Sequence, residues 1–406
     1  LIQQVKRPRF LFFFVEERPQ FDVQAFLAGE LRADRLPQVF ALAPLTESKC
    51  PLTPDELTLL SRLPAESWTP AGELDVEATR LEELARSGVL LTDAADPELA
   101  LLRERDDLLA RRQWHPYAAF YHFMNRESEA KSLAAKLPDT EHLAATLADD
   151  TRRFVAEHGP PPDPFLSLAD AGAATEVVGL PRVERSGELF EVLDRRRTVR
   201  AFDTSRPMEL ADAATLLDKV YGCQGVARFT PEVLALHKTS PSGGSLHPIE
   251  AYPLVIDVRG LDPGIYHYDV RRHALERIRA MDREEARSFA AEIACDQSYV
   301  ASAHLVVMMT ARFYRTYWKY RLRSRAYAVI LMDAAHLSQT FYLVAARLEL
   351  GAFFTAAVNA GRIEEMLGVD PGEEGAIALC GAGLRVADGP DLGLDFEPYR
   401  PDDAEP

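Results

Sequence analysis

Lys319 lies in the aromatic stretch Tyr314-Arg315-Thr316-Tyr317-Trp318-Lys319-Tyr320, with Arg321 and Arg323 following. An amine flanked by rings and by other cations loses part of its preference for the charged form, which would make it a usable general base. The competing reading is a lysine snorkelling on an aromatic-rich helix. A second group is Arg195-Arg196-Arg197-Thr198-Val199-Arg200. Several guanidiniums and a hydroxyl in one turn can hold a phosphate and the polar edge of a ring by forked hydrogen bonds. A solvated basic face is the alternative. The third is Ser240-Pro241-Ser242-Gly243-Gly244-Ser245-Leu246-His247-Pro248, where small residues between prolines leave main-chain amides open to a flat or anionic ligand. It carries neither a Walker-type GK[ST] nor a GxGxxG opening a helix, and taken alone it is equally a surface turn. Arg385, after the small residues Gly381-Ala382-Gly383, could bring one more cation to a phosphate.

The composition sharpens these readings. With 46 Lys+Arg against 63 Asp+Glu the net charge is −17, a poor start for wrapping nucleic acid or an anionic membrane. A cluster of arginines stands out against that field. Cys50, Cys223, Cys295 and Cys380 are far apart with no CxxC pair, so neither a local zinc site nor a disulfide scaffold is expected. No run approaches the ~20 apolar residues of a membrane helix, and Phe10–Val15 is too short and too charged at its flanks for a secretory signal. The expected compartment is the cytoplasm.

The elements that would position these groups fall into three parts: 1–110, a helical connector with a proline-rich linker over 111–183, and 184–406. In the first, Phe10–Val15 and Val39–Leu42 read as strands. Thr53-Pro54-Asp55-Glu56 reads as a capping box opening a helix. A second helix from Val76 stops at Gly88, and Val89–Thr92 reads as a strand. That order suggests a winged-helix-like module. Its second helix carries Glu77, Glu82 and Glu83 against Arg80 and Arg86, which is not a DNA-binding stripe; a peptide partner or domain packing suits it better. Trp114–Asn125 has aromatics at helical spacing and reads as a helix packed on a neighbouring domain. The Gly159–Pro164 stretch reads as a stiff connector. In the third part, strands are expected at Ala251–Val258, Ile265–Tyr268, Leu305–Thr310 and Ala376–Leu379, with a long apolar helix from Ala326 to Leu350 closed by Gly351.

Taken in order, these residues resemble the nitroreductase-like flavoproteins, specifically the SagB-type peptide-maturation dehydrogenases, over about Glu191 to Arg385. That family's Arg-Arg-Ser-x-Arg-x-Phe run is matched by Arg196-Arg197-Thr198-Val199-Arg200-Ala201-Phe202. Its Pro-Ser-Ala-Gly-Ala-Leu-Tyr-Pro loop is matched by Pro241 to Pro248, its Pro-Gly-x-Tyr-x-Tyr hairpin by Pro263 to Tyr268, and its Trp-Lys-Tyr triplet by Trp318-Lys319-Tyr320. Gly243 and Ser245 replace alanines, and His247 replaces the loop tyrosine.

The resemblance implies an α+β fold: a mainly antiparallel sheet wrapped by helices, in an interlocked homodimer with FMN at the interface. It implies that Arg196, Arg197, Thr198 and Arg200 hold the FMN phosphate, ribityl chain and ring edge. Ser242, Gly243, Gly244, Ser245 and Leu246 would line the cofactor, and Arg385 would approach the phosphate. Lys319 and Tyr320 become the catalytic pair, with His247 and Trp318 near the substrate and no metal. The implied reaction is the oxidation of a ribosomally made precursor peptide, azoline to azole in the type case. A cyclodehydratase or other maturation enzymes are the implied partners, and the N-terminal part would be a leader-peptide clamp. Two rivals stand beside it: an NAD(P)H-dependent nitro or quinone reductase, and a non-catalytic scaffold for a precursor peptide.

Overall fold

The computed structural model describes residues 2–21, 33–126, 149, 151–160, 162, 164, 176–180 and 186–386. Much of the expected connector, including the segment from Phe165 to Val183 apart from 176–180, lies outside the described residues.

The N-terminal part opens with β1 (Gln4–Lys6), β2 (Phe12–Phe21), β3 (Ala33–Ala43) and β4 (Ser48–Leu52). The last three form an antiparallel sheet with β3 in the middle. The expected capping box is present: Thr53 Oγ1 accepts from the Glu56 N–H at 3.2 Å, and the Glu56 carboxylate accepts from the Thr53 N–H at 2.7 Å, opening helix Pro54–Arg62. β5 (Thr69–Pro70) and β6 (Leu91–Thr92) flank β1, with helix Ala78–Arg86 between them in sequence. Both arginines of that helix are spent on acids, Arg80 on Glu56 and Glu83, Arg86 on Glu82, Asp96 and Glu98.

Helices Pro97–Arg111 and Pro116–Met124 carry this part onto the rest of the chain. Trp114 is buried and donates its indole N–H to the Gly372 carbonyl at 3.0 Å, while His122 faces the Pro371 carbonyl and the Tyr327 hydroxyl. Burial holds His122 down at about 3, so the ring stays neutral. Trp114, Phe123 and Leu109 share one continuous apolar core with the C-terminal sheet.

The C-terminal part is built on six antiparallel strands in the order β11-β10-β9-β12-β14-β13. They are β9 (Ile249–Val255), β10 (Gly264–Asp269), β11 (Ala274–Ala280), β12 (Leu305–Arg312), β13 (Leu350–Thr355) and β14 (Glu374–Leu384). A separate hairpin, β7 (Gly225–Thr230) with β8 (Val233–His237), precedes them. Helices Leu210–Tyr221 and Arg325–Arg347 cover one face of the sheet, and helices Arg283–Ile293 and Ala360–Leu367 cover the other. β12 is therefore buried on both faces, which explains its unbroken run Leu305-Val306-Val307-Met308-Met309.

The long helix is shorter than its hydrophobic pattern. It ends at Arg347, Glu349 turns the chain at φ 60°, and Gly351 sits inside β13 rather than stopping a helix. The glycine is needed there for space: a Cβ would meet Val199 Cγ1 at 2.6 Å. By length and composition this helix could cross a membrane. In the fold it packs one face on the sheet and carries Asp333 there.

Candidate functional site

Three segments converge on the glycine loop. Asp333, in mid-helix, accepts the Ser242 hydroxyl at 2.6 Å and the Gly243 N–H at 3.1 Å, and Ser242 Oγ in turn accepts the His247 N–H at 2.9 Å. Burial pushes the Asp333 carboxyl up, against the pull of those two donors. Gly243 faces the same helix, where a Cβ would strike Val329 Cγ1 at 2.3 Å. Gly244, at φ 70°, faces the other way: a Cβ would lie 2.8 Å from Lys319 Nζ and 2.9 Å from Tyr320 OH. The loop thus offers bare backbone to the amine and the phenol together.

Lys319 and Tyr320 come from helix Tyr314–Tyr320. Arg315, one turn earlier, fixes that helix to the loop by donating to the His247 carbonyl at 3.1 Å and pairing with buried Glu250 of β9 at 2.5 Å. Lys319 is exposed rather than sunk among rings; its Nζ lies 4.5 Å over Phe229 of the β7–β8 hairpin. Trp318 is half-buried, 6.2 Å from the same ring.

His247, expected near the substrate, sits at the end of the glycine loop. Its side chain is buried, and desolvation with Lys238 nearby holds the ring down at about 4, so it is neutral and turned into the protein. Leu246 is also buried, lining a neighbouring cavity. Ser245 is exposed, with φ 57°.

The arginine run sits elsewhere on the same framework. The Val199 N–H donates to the Ala352 carbonyl at 2.8 Å, docking the run along β13. Thr198 Oγ1 lies 3.2 Å from Tyr342 OH, Arg196 lies over the Tyr342 ring at 5.6 Å, and Arg200 over Tyr299 at 5.5 Å. Exposed Arg385 forms an antiparallel bridge with Phe202 at the end of the run. Arg197 is exposed and its guanidinium donates to main-chain carbonyls of Asp194 and Arg196. Among the described residues no carboxylate pairs with Arg196 or Arg197, so their charge is available to an anion. Arg196, Arg197, Thr198, Arg200 and Arg385 therefore form one group, and Ser242–Gly244 with Lys319 and Tyr320 another. Tyr342 and Asp333 tie both groups to one helix, nine residues or ~13 Å apart. Among the described residues no His, Cys, Asp and Glu cluster could hold a metal ion.

Asp333, Tyr342, Arg315 and Glu250 escape a reading of local motifs. One signal was available: Asp333 is the sole acid between Arg325 and Arg347 in an otherwise apolar helix, and a buried acid requires partners.

The Nitroreductase family profile matches residues 193–384. A Methanocaldococcus jannaschii protein described as a candidate nitroreductase is 33% identical over 193 residues, covering 48% of this chain and 90% of that protein. The chain belongs to the nitroreductase family. Trifolitoxin-processing protein TfxB of Rhizobium leguminosarum bv. trifolii is 33% identical over 144 residues, 35% of this chain and only 38% of that protein. Among solved structures, a candidate nitroreductase of Anabaena variabilis superposes with TM-score 0.41 at 26% identity, covering 49% of this chain and 38% of that one. The E. coli microcin synthetase McbBCD complex with truncated pro-MccB17 bound gives TM-score 0.38 at 20% identity, covering 64% of this chain and 100% of the matched one. Nitroreductase-family proteins generally use FMN and act as oxidoreductases.

Proposed function

We propose that this chain is a SagB-type, FMN-dependent dehydrogenase that oxidises a residue of a ribosomally made precursor peptide, azoline to azole or a related two-electron step. The observation that carries this reading is the convergence of Lys319 Nζ and Tyr320 OH on the bare backbone of Gly244. A small-molecule reductase has no evident need for a general base poised there. Similarity to a protein named for processing trifolitoxin points the same way.

The residues present fit FMN. Arg196, Arg197, Thr198, Arg200 and Arg385 suit its phosphate and polar edge, and the small residues Ser242 to Ser245 leave main-chain groups that suit its flat ring. Bound FMN would supply the two-electron acceptor for the hydride. Lys319 takes the proton from the carbon being oxidised, and Tyr320 OH orients the amine. The substrate thereby loses one proton and one hydride and gains one double bond.

The same reading makes the active form a homodimer. The long helix is apolar, yet much of it is not covered within the chain, Met332 among its exposed residues, and Leu189 and Leu193 stand exposed beside the arginine run. A partner's loop meeting this chain's arginines would join the two groups. Residues 1–110 are assigned to a winged-helix-like clamp for the leader peptide, 184–406 to the catalytic domain, and a cyclodehydratase to the preceding step.

The test is the absorbance spectrum of the purified protein, then mass spectrometry of the precursor peptide encoded beside it. A flavin spectrum and a loss of ~2 Da per modified residue are expected. A flavin reduced rapidly by NADPH with no peptide change would replace this reading with the small-molecule reductase. A colourless protein that binds peptide would leave only the scaffold.

A further inference from the structure

A cavity of about 1020 Å³ lies behind the Lys319 helix, lined on that side by Arg315 and Trp318, and no role has been given to it so far. Its walls are the β7–β8 hairpin, the ends of β9 and β10, and Trp318. Trp318 precedes Lys319 on that helix, and its ring lies 6.2 Å from Phe229, over which Lys319 Nζ sits. Exposed Ile278 and Arg271 line another wall, so it opens to solvent. That volume accommodates a few peptide residues.

The charges inside are unevenly satisfied. Three of the four acids are engaged inside: Glu250 by Arg315 and His267, Glu374 by the Tyr252 and Thr310 hydroxyls, Asp269 by the Arg272 guanidinium; the fourth, Glu232, is exposed at the hairpin turn and accepts the Thr230 hydroxyl at 3.0 Å. Two cations are not. Arg271 has no carboxylate within ion-pair distance among the described residues. Lys238 is 7% exposed, and one of its N–H groups donates to the Tyr221 carbonyl at 2.7 Å. It makes no ion pair among the described residues, and the carboxylate whose field reaches it, Glu250, is bound instead by Arg315 and His267. Burying an ammonium with its donors incompletely used is costly unless something else accepts from it. In a chain of net charge −17, a recess whose one buried charge without an ion pair among the described residues is the Lys238 ammonium selects for an anion.

We propose that this cavity is a substrate subsite that takes a carboxylate on the peptide residue next to the one being oxidised, with Lys238 as its ligand. This rests on the peptide-dehydrogenase reading for what the bound segment is, and on the cavity alone for the carboxylate. The carboxylate comes from an acidic side chain or from the peptide's C-terminus. Its hydrogen bond to Lys238 anchors the segment while the neighbouring residue lies over the Phe229–Trp318 rim beside Lys319. Burial holds Lys238 down at about 8, so it remains largely cationic at neutral pH.

The experiment is calorimetric titration of the full-length protein with acetyl-Ala-Ala-Glu-amide, acetyl-Ala-Ala-Gln-amide and acetyl-Ala-Ala-Ala with a free carboxyl end. Wild-type protein should bind one or both carboxylate peptides about tenfold or more tightly than the glutamine peptide, the scale of one charge-assisted hydrogen bond. Which one wins identifies the source. K238M should bind all three equally, and K319A should keep the wild-type preference. Sodium glutarate should displace the preferred peptide from the wild type, and glutaramide should not, a result that needs no variant. Equal binding of all three peptides by the wild type, or an undiminished preference in K238M, overturns the subsite. A carboxylate preference without oxidation of any precursor peptide would leave the subsite standing and remove the dehydrogenase reading.

Discussion

Asp333 holds Ser242 across 91 residues of sequence: one carboxylate oxygen accepts the serine hydroxyl at 2.6 Å while the other takes the Gly243 N–H at 3.1 Å. The glycine loop is therefore held in shape from the long helix, and Lys319 and Tyr320 meet a surface that is already formed. Asp333→Ala should leave two half-buried donors without their acceptor, at up to about 1–3 kcal/mol each. Thermal unfolding should show the lost stability, and flavin content should fall with it.

Gly244→Ala probes the loop from the other side. Its φ of 70° disfavours a Cβ by ~1–2 kcal/mol, and that Cβ would press on Lys319 Nζ at 2.8 Å and Tyr320 OH at 2.9 Å. The variant should fold, and its turnover should fall much further than its melting temperature. Unchanged turnover would show that the pair need not approach the backbone.

If the chain is the proposed peptide dehydrogenase, Lys319→Ala should keep FMN and lose roughly 10²- to 10⁴-fold in turnover on the modified peptide, the range for a single general base. Full activity in that variant would remove Lys319 from the mechanism. Arg196→Ala with Arg197→Ala should do the reverse, lowering flavin occupancy measured by absorbance while leaving the fold intact.

His267 lies between Glu250 at 3.6 Å and Glu276 at 3.1 Å, and these carboxylates raise it to about 9 against an ordinary 6.5. A cation favoured by folding contributes stability that is fully present below pH 6.5 and is lost as pH rises through about 9. The wild type should therefore lose more melting temperature than His267→Gln between pH 6.5 and pH 9.5. Parallel curves would show that the ion pairs contribute nothing to stability.

Arg126 is the joint between the two ends of the molecule. Its guanidinium pairs with Glu47 in the N-terminal part and with Glu364 of helix Ala360–Leu367, whose side chain is 2% exposed. Removing it strands a buried carboxylate, so Arg126→Ala should cost about 3–5 kcal/mol in chemical denaturation. Adding Glu364→Gln should restore much of that loss.

Much of the framework was legible because buried strands and capped helices leave local signatures. Leu305–Thr310 and Ala376–Leu379 fall inside β12 and β14, and Thr53 and Glu56 cap as their spacing requires. The β7–β8 hairpin was not legible. Pro231-Glu232 joins it in place of the Asn-Gly or Asp-Gly of common tight turns, and most of its residues are exposed, so no apolar run betrays it. The long helix was overextended because Leu348 and Leu350 continue its hydrophobicity beyond the point where Glu349 breaks its backbone. Within the site, the motifs showed which residue types take part. The contacts that orient them, Arg315 to Glu250 and Thr198 to Tyr342, span 65 and 144 positions, beyond the reach of any local pattern.

Helix Arg325–Arg347 works as a ruler between the glycine loop and the arginine run. Each residue added between Asp333 and Tyr342 would turn one end by about 100° relative to the other and lengthen the span by about 1.5 Å. A single insertion would leave both groups intact and aim them at different ligands. Tolerance for length change there comes only in near-whole turns, and the smallest close match, seven residues, would stretch the span by ~10 Å. The distance between the two groups is thus set in phase as well as in ångströms, and this helix interior should be the part of the C-terminal sheet region least able to change length.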